Sequence, residues 1–109
     1  MARYMVQASY TAEAAAAFVR KPQDRVEGVR TLIQRMGGKL ESFDYCLGDY
    51  DVMAVYSADD DITATAVTLA VLAPGHLKSF KTTKLLSPDE FMAASQKAGS
   101  ANYEAPSGD

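Results

Sequence analysis

Polar and apolar residues alternate from Arg3 to Tyr10. Tyr4, Val6, Ala8 and Tyr10 fall on one side and Arg3, Met5, Gln7 and Ser9 on the other, which is the two-residue period of a strand. The pattern then lengthens. Thr11 stands as an N-cap before an alanine-rich helical run over 12–19, and Pro22 breaks that run into a short helix and a longer one. From Gln23 onward, Val26, Val29, Ile33 and Met36 recur at helical spacing and leave Arg25, Glu27, Arg30, Gln34 and Arg35 to water. Gly37 and Gly38 stop this helix, one of them with positive φ.

Residues 39–47 alternate again, with Glu41, Phe43, Tyr45 and Leu47 set against Leu40, Ser42, Asp44 and Cys46. Gly48-Asp49 signals a hairpin into a third strand over 52–56. Asp59-Asp60-Asp61 supplies a cap and two dipole partners for a helix over 62–73. That helix has no charged residue, and it is shorter than the roughly 20 residues a bilayer needs. It is therefore expected to be buried on most sides, by the sheet and by another subunit. Residues 76–84 form a fourth strand, and Ser87-Pro88-Asp89-Glu90 is a capping box that opens a helix over 88–98. Residues 99–109 have the composition of a tail, in which Tyr103 alone could act as an anchor.

The order strand, helix, strand, strand, helix, strand, helix predicts an α+β fold. It is ferredoxin-like βαββαβ with a C-terminal helix, in which the helices cover one face of a four-stranded antiparallel sheet. The expected organisation is one domain over 1–98 and a tail over 99–109. The open sheet face, bearing Met5, Gln7 and Ser9 with Leu40, Ser42, Asp44 and Cys46, is mixed in polarity. Such a face suits packing on a second sheet around a semi-polar cavity, so a homodimer or higher homo-oligomer is expected, with a twofold axis the simplest operator.

Composition narrows the classes. The 109 residues are 48% hydrophobic, too apolar for a disordered chain. Eleven Lys and Arg against 14 Asp and Glu give a net charge of −3, which argues against a nucleic-acid partner. A single cysteine, Cys46, allows no internal disulfide. Met1–Met5 lacks the apolar run of a secretory signal, so a cytoplasmic location without a membrane partner is the expectation.

Gly48, Tyr50 and Asp51, with Asp49 between, resemble the signature of the GYD-domain family. The segments Tyr4–Thr11, Gly37–Glu41, Lys81–Thr83 and Leu86–Glu90 are similar to that family as well. The resemblance implies a dimeric α+β barrel and supplies no activity. The wider barrel superfamily includes haem-handling enzymes, monooxygenases and lactone isomerases.

Several side chains could carry chemistry. His76, the sole histidine, follows Pro74-Gly75 at the mouth of a strand and could move a proton, but it has no second ligand in sequence for a metal. Asp44, Asp49 and Asp51 bracket the hairpin, either as an acid/base pair or as turn aspartates bonded to the local backbone. Asp51 stands out because strands disfavour aspartate. Tyr50 could pack at an interface or hold its hydroxyl over a cavity. Cys46 reads as a small packed residue, with a nucleophile as the alternative. Lys78, Lys81 and Lys84 with Phe80 make a basic strand that could bind an anion or blunt a sheet edge, with Lys78 and Phe80 on one face. The resulting expectation is a homo-oligomeric small-ligand-binding or sensing domain lined by residues such as Gln7, Asp44, Asp51 and His76. The alternatives are a cofactor-free or haem-associated oxygenase or isomerase, and a scaffold without a ligand. No cofactor is named by the sequence.

Overall fold

A computed structural model describes residues 1–107; Gly108 and Asp109, the end of the expected tail, lie outside the described residues. The elements in chain order are β1 (Ala2–Tyr10), α1 (Ala12–Arg20), α2 (Val26–Arg35), β2 (Lys39–Tyr45), β3 (Val52–Ala58), α3 (Asp61–Leu72), β4 (Leu77–Leu85) and α4 (Pro88–Gly99). All strand pairs are antiparallel, in the order β2-β3-β1-β4, the ferredoxin-like arrangement.

Local chemistry starts the helices where the residue pattern asks for them. The Thr11 hydroxyl accepts from the Ala14 N–H at 3.1 Å and opens α1, and the chain breaks around Pro22 before α2 begins. Asp60 caps α3 through the Thr63 N–H at 2.8 Å, and Ser87 with Glu90 forms the reciprocal box at α4. Gly37 takes φ +79° behind α2, as its place at a helix end requires. Gly38 is needed for a different reason: a Cβ there would overlap the carbonyl oxygen of Ser57 and press on Ile33.

The core lies between the sheet and the pair α2 and α3. Tyr4, Val6 and Ala8 of β1 and Ala54 and Tyr56 of β3 point into it, with Ile33, Ala64 and Val67 above them. The Tyr4 and Tyr56 rings stack with centroids 5.4 Å apart. Burying Ile33 almost completely contributes about 1.5–3 kcal/mol.

Two bulges correct the face assignments read from alternation. In β2 the register shifts between Leu40 and Ser42, so Leu40 shares the core side with Phe43 and Tyr45 instead of lying opposite them. In β4 the shift against Ser9 and Tyr10 leaves Lys78 unpaired, and Leu77, not Lys78, joins Phe80 on the core side. α3 buries Ala64 and Val67, while Ile62, Leu69 and Leu72 are exposed, so its apolar character runs onto an outer face that this chain leaves bare. α4 buries none of its residues, and the chain as a whole reaches 60 Å in its longest dimension. Tyr103 is exposed. No helix among the described residues is long and apolar enough to cross a membrane.

Candidate ligand-binding site

The cavity of interest lies on the helix-covered side of the sheet. It measures about 220 Å³ and is roofed by α2 and α3, with a floor to which all four strands contribute. Most of the wall is aliphatic or aromatic: Val29, Leu32, Val67, Val71, Phe43 and Phe80 are representative. Polar side chains gather toward one end, where Tyr10, Arg25 and His76 join Pro74. Gly28 sits in the wall beneath Arg25, and a Cβ there would stand 3.4 Å from the guanidinium.

Each polar member is fixed through its backbone by a residue distant in sequence. The Tyr10 N–H donates to Asp51 Oδ2 at 2.9 Å. The His76 carbonyl accepts from the Thr11 N–H at 2.9 Å. The Arg25 N–H donates to the Tyr45 hydroxyl at 3.0 Å, and that hydroxyl donates in turn to Asp24 at 3.1 Å. The Tyr10 ring packs edge-on against Phe18, centroids 4.9 Å apart. Burial pushes the Tyr10 hydroxyl up to about 12, with Tyr45, Asp51 and Asp24 adding to the rise and Arg25 opposing it.

The hairpin loop between β2 and β3 holds the mouth together. Besides the bond to Tyr10, the Asp51 N–H donates to the Ala8 carbonyl at 2.8 Å, and the Asp51 carbonyl accepts from the Cys46 N–H at 2.8 Å. Asp49 contributes its carbonyl, which accepts from the Ser9 hydroxyl at 3.4 Å. The loop is thereby laced to the end of β1, and Asp51 spends its carboxylate on a backbone donor. This loop is the signature segment. The GYD domain matches over residues 4–95 of this chain.

The chain belongs to the GYD-domain family.

No curated protein matches this GYD domain. Among solved structures it is similar to the one titled for MtbAldR, with a TM-score of 0.57 and 13% sequence identity. The alignment covers 79% of this chain and 52% of that one, so the GYD domain spans about half the length of that protein. At this identity the likeness is one of fold.

The residues singled out from sequence fall in three places. His76 lines the cavity, and Asp51 supports it from behind through Tyr10. Gln7 and Asp44 lie on the opposite, open sheet face, in one cross-strand row with Lys81 and Met53. Tyr50 is half-buried in the loop, Gly48 is exposed beside it, and Lys78 is exposed at the β4 bulge. Cys46 is exposed and free. Sequence reasoning did not single out Tyr10 and Arg25, which it placed in a strand and on a wet helix face. A usable signal existed for Arg25: Gly28, a poor helix former, follows it by three residues inside a helix and leaves room for the guanidinium to lie across the turn.

A second groove runs between α3 and β4. Its polar centre is Asp61, which accepts from the Tyr4 hydroxyl at 2.6 Å and pairs with Lys84 at 3.0 Å. The Tyr4 hydroxyl is held up at about 12, first by that bond and then by burial, while the bond draws Asp61 below the usual carboxylate range. These groups satisfy one another, so the groove closes the edge of the fold.

Proposed function

We propose that this GYD domain is a small-ligand-binding or sensing domain that works as a homo-oligomer. The observation that carries the reading is the 220 Å³ largely apolar cavity with Tyr10, Arg25 and His76 at one end; the further lining hydroxyl, that of Tyr56, donates to the Ala64 carbonyl at 3.5 Å. Ligand sites in proteins are apolar hollows with a few convergent polar groups, and a cavity of about 150 Å³ lined by aliphatic and aromatic residues accepts benzene. Cavity size and lining therefore support a compact, largely apolar molecule. Support for self-association comes from the other face. Met5, Val55 and Met53 make its centre, and one row across the sheet places Lys81 on one edge strand and Asp44 on the other. Opposite charges at opposite edges let two copies meet face to face with each lysine near the other copy's aspartate.

The test uses benzyl alcohol as a neutral probe, followed by amide chemical shifts of the whole chain. The reading expects saturable shifts confined to α2, α3 and the cavity end of β1, abolished by Val71→Phe. Absence of saturable shifts at millimolar probe, or shifts spread over the open sheet face, would defeat it. Oligomerisation is read separately by light scattering, where Val55→Lys should reduce a multiple of 11.7 kDa to that single mass.

A further inference from the structure

This inference concerns the polar end of the cavity and rests on the binding reading above. The three side chains that line the polar end, Tyr10, Arg25 and His76, can each donate a hydrogen bond, and the lining contains no carboxylate. Arg25 is not among the ion-paired cations of the described residues, which are Arg3, Arg30 and Lys84. Its guanidinium has one weak side-chain acceptor, Gln23 Oε1 at 3.4 Å, and otherwise lies across Gly28. Among the described residues the Tyr10 hydroxyl finds no side-chain or backbone oxygen to donate to, although Tyr4, Tyr45 and Tyr56 all find acceptors. Two carboxylates stand close to this end without lining it, and each already takes a donor from the protein. Asp24 accepts from the Val26 N–H at 3.0 Å and from Tyr45, and Asp51 accepts from the Tyr10 N–H. What remains is a guanidinium, a phenol and an imidazole beside an apolar chamber, each able to donate and none of them anionic.

We propose that the ligand of this cavity is a small monocarboxylate with an apolar body. The carboxylate would lie against Arg25 and Tyr10, and the body would lie between α2 and α3. Size limits the class further. If a chamber of about 150 Å³ takes the six carbons of benzene, 220 Å³ takes about nine non-hydrogen atoms, the scale of benzoate or a six-carbon fatty acid. A planar guanidinium suits a carboxylate because it can give two parallel N–H donors. An α-amino acid fits less well: its ammonium needs acceptors, and no carboxylate lines the cavity.

The experiment titrates the full chain with benzoate, benzyl alcohol and benzylamine, following amide shifts at neutral pH. The same series is repeated on Arg25→Gln and Tyr10→Phe. Benzoate is expected to bind at least tenfold more tightly than benzyl alcohol. Arg25→Gln should erase that preference while changing the alcohol by less than twofold, which separates lost charge recognition from a damaged fold. Tyr10→Phe should weaken benzoate about threefold to tenfold. Equal binding of acid and alcohol, tighter binding of the amine, or an unchanged preference in Arg25→Gln would overturn the inference and leave the cavity reading standing. If none of the three probes binds, the cavity reading itself falls, and the charge preference with it.

Discussion

Asp51→Ala is the perturbation that most directly separates a supporting role from a chemical one. The Asp51 carboxylate accepts the Tyr10 N–H at 2.9 Å in a partly buried position, at the end of β1 where the pairing with β4 shifts register before Tyr10 meets Leu77. A hydrogen bond to a charged acceptor contributes about 1.5–3 kcal/mol, and removing the acceptor also leaves the peptide donor unsatisfied. A loss of about 2 kcal/mol follows for Asp51→Ala. Asp51→Asn keeps an amide oxygen in place and forgoes the charge, so its loss should be about 1 kcal/mol. With a urea slope of about 1.5 kcal/mol per molar, the midpoints should fall by roughly 1.3 M and 0.7 M. The assay is equilibrium urea unfolding by far-UV circular dichroism. Amide exchange should show Tyr10 speeding up far more than Val6, which sits in the middle of the same strand. A midpoint for Asp51→Ala within about 0.3 M of the parent, or equal acceleration of both amides, would refute the assignment and return Asp51 to the list of chemical candidates.

Two further expectations concern packing and pH. Gly38→Ala must push a methyl group into the Ser57 carbonyl and Ile33, so thermal melting should show a loss of about 1–3 kcal/mol, against no measurable change if the loop simply shifts. Titration stability has two limbs. Tyr4 and Tyr10 hold their protons to about 12 in the folded chain, against about 10 unfolded, so they contribute stability that is complete below pH 10 and lost as pH rises toward 12. Asp60, bonded to the Thr63 N–H, Asp61, bonded to Tyr4, and Glu90, bonded to the Ser87 N–H, lie below the ordinary carboxylate range. Their contribution is present above about pH 4 and fades as pH falls through the lowered folded values. Far-UV dichroism recorded with tyrosinate absorbance at 295 nm checks the alkaline limb: a tyrosinate signal complete by pH 10.5 in the folded chain would contradict it.

The parts of the fold legible in the sequence are those decided by neighbours. Thr11, Asp60 and Ser87 cap the helices that follow them, and Pro22 parts α1 from α2, because each acts on backbone groups within a few residues. Face assignment failed where one extra residue changed parity. Nothing in Leu40-Glu41-Ser42 announces a bulge, because Glu41 is as good a strand-face residue as any; its position becomes intelligible only beside Arg3 of β1, which it meets at 3.0 Å. The same limit hid the site. Asp51 drew attention as a misfit in a strand-forming run, but its partner lies 41 residues earlier, and no local rule connects them. His76 was noticed for its chemistry, while Tyr10 and Arg25 were passed over because their value depends on how α2 lies over the sheet.

The signature loop and the cavity are two ends of one mechanical arrangement. Tyr10 terminates β1, and its backbone direction is set by Asp51, whose own N–H is tied to Ala8. One residue on, Thr11 caps α1 with its hydroxyl and reaches the His76 carbonyl with its N–H, which draws the start of β4 to the same end. On the far side, Tyr45 at the end of β2 grips the Arg25 backbone and Asp24 and fixes the start of α2. The three donors at the cavity end thus come from the end of β1, the N-cap of α2 and the residue before β4, and each is held by a backbone bond rather than by its neighbour. Side chains positioned this way stay free to face a ligand, since their polar atoms are not consumed in holding one another. On the binding reading, loosening Asp51 should misplace Tyr10 first, and weaken benzoate more than benzyl alcohol. That order follows from geometry, because the Asp51 carboxylate bonds the Tyr10 N–H directly, while the α2 and α3 walls of the chamber are held by other residues.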